Sequence, residues 1–194
     1  MEIDPSAIVG PWKAGYSLAL HTVKSEFLGH DEQGRPKFDT TRSAVGEALY
    51  RLKYQNQTAA ATKLARVAAD FVVEKCFPIE LVVALPPSKK RLVQPVALIA
   101  EEVAKRLRVP YDSRGLRKVK ETPELKSLVD LKDREKSLKD AYVSSTSVKG
   151  KTILLFDDLY RSGSSMREAA RTLLEVGGAV AVYALALTRT RSNR

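Results

Sequence analysis

Thr152-Ile153-Leu154-Leu155-Phe156-Asp157-Asp158-Leu159-Tyr160-Arg161-Ser162-Gly163-Ser164-Ser165 is the stretch whose reading decides the fold. An unbroken, β-prone apolar run, Ile153 to Phe156, predicts a parallel strand covered on both faces. Two adjacent carboxylates end it, and a turn of small residues follows. Beyond the turn, Met166, Ala169, Ala170, Leu173 and Leu174 recur at helical spacing, with Arg167, Glu168 and Arg171 on the other side. Ser164 or Ser165 is the expected N-cap, and Glu168 stands three residues after Ser165 as a capping-box partner. Strand, turn and helix start together make an anion site, because free N–H groups and the positive end of the helix dipole point into the turn. Ser162, Ser164 and Ser165 add hydroxyls, and Gly163 permits the positive φ of a tight wrap.

Asp157 and Asp158 would repel a bare phosphate. They suit a ligand that carries hydroxyls beside its phosphate, with two vicinal sugar hydroxyls on the carboxylates and the phosphate in the loop.

Outward from this stretch, strands and helices alternate. Leu81 to Leu85 reads as a short buried strand halted by Pro86-Pro87, and Ser88-Lys89-Lys90-Arg91 follows it directly. Next comes a helix with Val96, Ile99, Ala100, Val103, Ala104 and Leu107 on one face. The basic loop is either a solvated turn or a second anion site, at the carboxyl end of a parallel strand. A helix is expected over residues 59–75, and an earlier one through Ala44, Leu49, Leu52 and Tyr54, capped by Thr40, Thr41 or Ser43. Leu116 to Val119 reads as a strand. Lys120 to Asp140 reads as a charged loop with a short helix near Asp133 to Leu138. Lys149-Gly150-Lys151 reads as a turn, Gly177-Gly178 as a helix stop and Ala179 to Leu187 as a buried strand, before a frayed basic tail from Thr188. Residues 1–15 read as an irregular lead-in with Trp12 as a packing anchor. Residues 16–28 and Lys37-Phe38-Asp39 suggest a hairpin. The expected fold is therefore α/β: a parallel twisted sheet with helices on both faces and an N-terminal β-hairpin. One domain over 1–194 is expected, with 1–42 as lead-in and hairpin.

Composition narrows the partners. Lys plus Arg exceed Asp plus Glu by 33 − 23 = 10, a balance that suits nucleic acid, a multiply phosphorylated small molecule, or simply a well-solvated surface. No apolar run is long enough for a membrane span. The single cysteine, Cys76, excludes an internal disulfide and any multi-thiolate metal site, and points to a reducing cytoplasm. It is expected half-buried at a helix end. His21 and His30 share no metal-ligand spacing and are expected to be exposed or structural.

The stretch Asp157 to Ser165 resembles the ribose-5-phosphate loop of the type I phosphoribosyltransferases, usually Asp-Asp-x-x-Thr-Thr-Gly-x-Thr. Ser162, Gly163 and Ser165 match in kind, and Arg161 stands where a small hydroxyl residue is usual. Further landmarks resemble the ComF, competence-type, branch. Leu52-Lys53-Tyr54 is similar to its Leu-Lys-Tyr, and Leu85-Pro86-Pro87-Ser88 to its pyrophosphate loop. Thr122, Leu128, Arg134 and Ala141-Tyr142 follow the spacing of its mobile loop, with Leu125 and Ser137 in place of a Gln and an Asn. Lys90 to Gln94 shortens a longer segment, and the amino-terminal zinc module of that branch is missing.

The resemblance implies binding of 5-phosphoribosyl-1-pyrophosphate and transfer of its phosphoribosyl group to a nitrogen acceptor, with release of pyrophosphate. It implies that Asp157 and Asp158 stabilise the oxocarbenium-like ribose. Tyr160, Arg161, Ser162, Gly163, Ser164 and Ser165 would hold the 5′-phosphate. Pro87, Ser88, Lys89 and Lys90 would hold the pyrophosphate. Mg²⁺ is implied, bound mainly through substrate oxygens rather than a protein cage. The expected partner is the donor or a related nucleotide, without a membrane, and a homodimer is compatible. Two alternatives stand beside this: a regulatory protein that binds the same ligand without efficient transfer, and a ComF-like protein acting in DNA uptake or processing. Against nucleic acid, aromatic residues are not interleaved with the basic ones as stacking platforms.

Overall fold

The computed structural model describes residues 1–87, 94–120 and 137–191. Its centre is a five-stranded sheet. Strand β1 (Ser6–Ala7) runs antiparallel on the edge of β2 (Ala14–Leu20). The remaining strands of the sheet run parallel to β2. Two strands from the amino-terminal part, β3 (Thr22–His30) and β4 (Pro36–Arg42), pair with each other as a separate antiparallel hairpin. Helices α1 (Ala44–Tyr54) and α2 (Ala59–Glu74) lead to β5 (Leu81–Ala84), and α3 (Pro95–Leu107) follows. The short strands β6 (Leu116–Lys118) and β7 (Tyr142–Ser144) form an antiparallel ribbon. Then come β8 (Thr152–Tyr160), α4 (Ser164–Arg171) with a π-helical turn over Thr172–Val176, and β9 (Ala181–Arg189). The sheet order is β1-β2-β9-β8-β5.

Alternation along β8 assigns its side chains to two cores. Leu154 and Phe156 pack with Leu18, Leu185 and the buried faces of α1, α2 and α3. Ile153 and Leu155 pack on the opposite face with Val83, Ala184, the α4 residues Met166 and Ala169, and Leu173 of the π-helical turn. Burial on both faces explains the continuous apolar run. Local chemistry sets the helix starts. Ser43 Oγ accepts from Gly46 N at 3.0 Å and caps α1, and Pro95 occupies the first turn of α3.

Several sequence expectations need correction. Residues 16–20 belong to β2, a member of the parallel sheet between β1 and β9, so the hairpin is Thr22–His30 with Pro36–Arg42. Strand β8 extends four residues past Phe156, because its ladder with β9 continues to Tyr160 opposite Arg189. The same ladder carries β9 through Thr188, which is fully buried, so the chain there is strand and not frayed tail. Cys76 is exposed, in a left-handed turn with φ 51°. Trp12 is a packing anchor as expected: its indole Nε1 donates to Ile8 O at 2.9 Å. The expected helix near Asp133 to Leu138 lies largely outside the described residues.

Candidate functional site

The carboxyl ends of β2, β9, β8 and β5 converge on one edge of the sheet, where open parallel sheets present ligand sites. Asp157 and Asp158 lie within β8 near that edge. As neighbours in a strand they turn to opposite faces. Asp158 turns toward α1, where Lys53 Nζ meets its Oδ2 at 2.6 Å. Its main chain is also held, since Thr188 Oγ1 donates to Asp158 O at 2.8 Å. His21 Nδ1 lies 3.2 Å from the same hydroxyl. That hydroxyl's one proton is committed to Asp158, so His21 donates from Nδ1. Burial, with the nearby charges of Lys53 and Arg42, pushes the His21 imidazole below its ordinary value, opposed by Asp158.

Asp157 is half-buried and takes a backbone N–H, from Asp158 at 2.8 Å, on its own carboxylate. Desolvation, reinforced by the charge of Asp158, pushes its carboxyl up to about 8. Lys53 and the backbone donors of Asp158 and Leu159 oppose the shift without cancelling it.

The loop beyond β8 wraps tightly. Gly163 has φ 75° and is itself the N-cap of α4, with no side-chain cap bond. This corrects the expected Ser164 or Ser165 cap. Ser164 Oγ lies 3.2 Å from Ser162 Oγ, and Ser165 shares a hydrogen bond with the Tyr142 hydroxyl. Burial raises that phenol to about 12. Glu168 is not a capping-box partner either. It is buried, accepts from Asp140 N at 3.1 Å and pairs with Arg171 at 3.0 Å. A helix start without a side-chain cap leaves its first N–H groups for an anion. Arg167 leans back over the loop, donating from Nη1 to Ser162 O at 3.0 Å. Tyr160 is half-buried beside Gly163, and Arg161 is exposed.

The structure thus brings together Asp157, Asp158, Tyr160, Ser162, Gly163, Ser164 and Ser165 on one loop and strand end. Leu85 N donates to Phe156 O at 2.8 Å, which sets the exit of β5, with exposed Pro87, alongside β8. Ser88, Lys89 and Lys90 lie outside the described residues, as do Leu125 and the mobile-loop landmarks Thr122, Leu128 and Arg134. Lys53, His21, Thr188 and Arg167 join the site without having been singled out as site residues. Lys53 carried a signal, the Leu52-Lys53-Tyr54 triplet. Arg167 carried a weaker one, a cation one turn into a helix, where the dipole does not favour it.

A divalent ion has limited protein support here. Among the described residues, no three His, Cys, Asp or Glu side chains gather as a metal cage. With Asp158 bound to Lys53, the donor set fits an ion carried mainly by ligand oxygens.

The family model described as the phosphoribosyl transferase domain matches residues 96–193, just over half of the chain. No curated protein matches the sequence. Among solved structures, the chain is similar to the glutamine phosphoribosylpyrophosphate amidotransferase from B. subtilis, complexed with ADP and GMP. The two are 17% identical with a TM-score of 0.49, covering 80% of this chain and 34% of that one. Phosphoribosylpyrophosphate synthetase from Mycobacterium smegmatis is 20% identical with a TM-score of 0.42, covering 66% and 34%. Adenine phosphoribosyl transferase from Trypanosoma brucei, in complex with AMP, pyrophosphate and ribose-5-phosphate, is 13% identical with a TM-score of 0.49, covering 96% and 74%. The chain therefore spans about a third of the length of the first two.

Proposed function

We propose that this chain, which belongs to the phosphoribosyl transferase domain family, binds 5-phosphoribosyl-1-pyrophosphate and transfers its phosphoribosyl group to a nitrogen acceptor. The observation that carries the proposal is the acidic strand end running straight into an uncapped helix start through Gly163 at φ 75°. One ligand that pairs sugar hydroxyls with a phosphate satisfies both halves of that arrangement. The whole chain, residues 1–194, is taken as one such domain, at work in the cytoplasm and compatible with a homodimer. No helix among the described residues is long and apolar enough to cross a membrane.

In the proposed reaction, the bond from the anomeric carbon to pyrophosphate breaks, and its electron pair leaves with pyrophosphate. The acceptor nitrogen's lone pair forms the new bond, and the nitrogen then gives up its proton. Positive charge develops on the ribose ring, and carboxylates at the ring hydroxyls stabilise it. Asp158 takes that role, joined by Asp157 where its carboxyl is ionised. The N–H groups of the loop, with Ser162, Gly163, Ser164 and Ser165, hold the 5′-phosphate and so fix the ring against the acceptor. Tyr160 and Arg161 flank that phosphate. Pro87, Ser88, Lys89 and Lys90 take the pyrophosphate. Mg²⁺ would be held mainly through oxygens of the ligand that these residues bind, and when bound would supply charge neutralisation for the pyrophosphate.

Membership of the ComF branch is part of the proposal. It is supported by the Leu52-Lys53-Tyr54 triplet, whose lysine reaches Asp158. The net charge of +10 supports a second reading, action on DNA. Calorimetry with ribose 5-phosphate, then with the donor and Mg²⁺, followed by pyrophosphate-release assays over a panel of nucleobases and amines, tests the main proposal. Binding with release supports it. Binding without release across the panel supports a regulatory protein that holds the ligand without efficient transfer. If neither compound binds, the ribose-phosphate reading is wrong. Non-specific nucleic-acid affinity at physiological salt is on the order of 10⁻⁴ to 10⁻⁶ M. Much tighter, sequence-dependent binding would move the function to DNA.

A further inference from the structure

Lys53 sits in the last turn of α1 and does not pair along its own helix, as Glu47 and Arg51 do at 2.9 Å. It crosses to another element and meets Asp158 at 2.6 Å, with 15% of its side chain exposed against 12% for Asp158. Withdrawing a lysine this far from water costs hydration and rotamer freedom, which exposed surface pairs do not bear. The pair also stands where a multiply charged ligand is expected, beside a second carboxylate.

We propose that Lys53 is a positioning residue of the ribose site: it holds the Asp158 carboxylate on the α1 face of β8 and offsets the negative charge that a phosphate-bearing ligand must approach there. This rests on the ribose-phosphate reading above. The main chain of Asp158 is fixed separately, by Thr188 on its carbonyl and by the ladder to β9. Removing Lys53 therefore releases a carboxylate and not a strand. His21, Arg42 and Asp157 are the other titratable groups that act on this corner. The two cations among them are not substitutes: Arg42 is engaged with Glu47 and stacks over Tyr50, and His21 is held toward its neutral form.

The test is titration of the full chain with ribose 5-phosphate across a pH series, for the parent, Lys53→Met, Lys53→Gln and Lys53→Arg, with urea melts to confirm folding. Lys53→Met removes the charge at similar length. Lys53→Gln keeps a hydrogen-bond donor without charge, and serves if the Met variant does not fold. Both neutral variants are expected to bind about tenfold or more weakly. The deficit should deepen toward alkaline pH, where both carboxylates are ionised. Lys53→Arg should recover most of the affinity. A lysine that merely braced the fold would lower the melting midpoint and leave the pH profile of binding unchanged. Neutral variants that bind like the parent at every pH, or an Arg variant no better than Met, would overturn the assignment. A parent that does not bind ribose 5-phosphate overturns the function itself, which is a separate and visible result.

Discussion

A side chain on Gly163 would run into the hydroxyl of Tyr160 and come within 2.7 Å of Arg167 Nη1. The glycine also sits at φ 75°, a region that β-branched residues rarely enter. Conformation and space therefore exclude a substituent independently. Gly163→Val is expected to cost about 1–3 kcal/mol in backbone strain alone, and to displace Tyr160 and Arg167 from the loop. Ser162→Ala removes one hydroxyl and should cost about 0.5–1.5 kcal/mol of ligand binding, or up to about 3 for a bond to a charged phosphate. Titrating both folded variants with ribose 5-phosphate should rank Gly163→Val as far more damaging. A valine variant that binds like the parent would mean that the phosphate does not use this loop.

The strand, turn and helix around Gly163 were legible because their elements are local: an apolar run, a glycine and a helical period lie within about two dozen residues. What escaped was set at a distance. Strand β2 pairs with β9, about 170 residues later in the chain, and no local pattern reports that partner. With Gly15 and Ser17 on its buried side, it read as half of a hairpin. Lys53 stood out only within the Leu52-Lys53-Tyr54 triplet and its partner was not legible, because the strand it reaches lies about a hundred residues downstream. The serines at the start of α4 read as caps since their chemistry suits capping. Instead Gly163 takes the cap position, the Ser164 hydroxyl turns to Ser162 and the Ser165 hydroxyl to Tyr142.

Thr188→Val tests the second clamp on Asp158. The substitution keeps the shape of a fully buried side chain and deletes the hydroxyl that links Asp158 O to His21. It leaves the half-buried imidazole without this acceptor for its Nδ1–H, a loss expected to cost about 1–3 kcal/mol. Urea denaturation should show a lower midpoint with an unchanged slope. An unchanged midpoint would mean that the hydroxyl bridge contributes nothing net.

Trp12 gives the amino-terminal packing its own reporter, as the single tryptophan of the chain. A Cβ on Gly15 would overlap its indole, coming within 2.8 Å of Cδ1 and closer still to Nε1. Gly15→Ala should push the ring out, break its bond to Ile8 O and loosen β1 from β2. A red-shifted fluorescence maximum with loss of stability is the expected result. A variant with the parent's spectrum would show that the ring does not rest against this glycine.

The acidic pair predicts a pH dependence whose sign is opposite to that of a salt-bridged carboxylate. Burial, and then the charge of Asp158, raise Asp157 from an ordinary value of 3.8 to about 8 in the folded chain. Between those values the folded protein holds a proton that the unfolded chain has released, so stability falls as pH rises. The penalty is absent below the unfolded value, grows through the neutral range and levels off above the folded one. Asp157→Asn removes the titrating group while keeping its shape. Melting temperatures at about pH 5 and about pH 9 should therefore converge between the two pH values for the variant, and the variant should gain most over the parent at the alkaline end. Parallel profiles for parent and variant would show that Asp157 is ionised in the folded protein and that its burial is relieved by contacts other than those described.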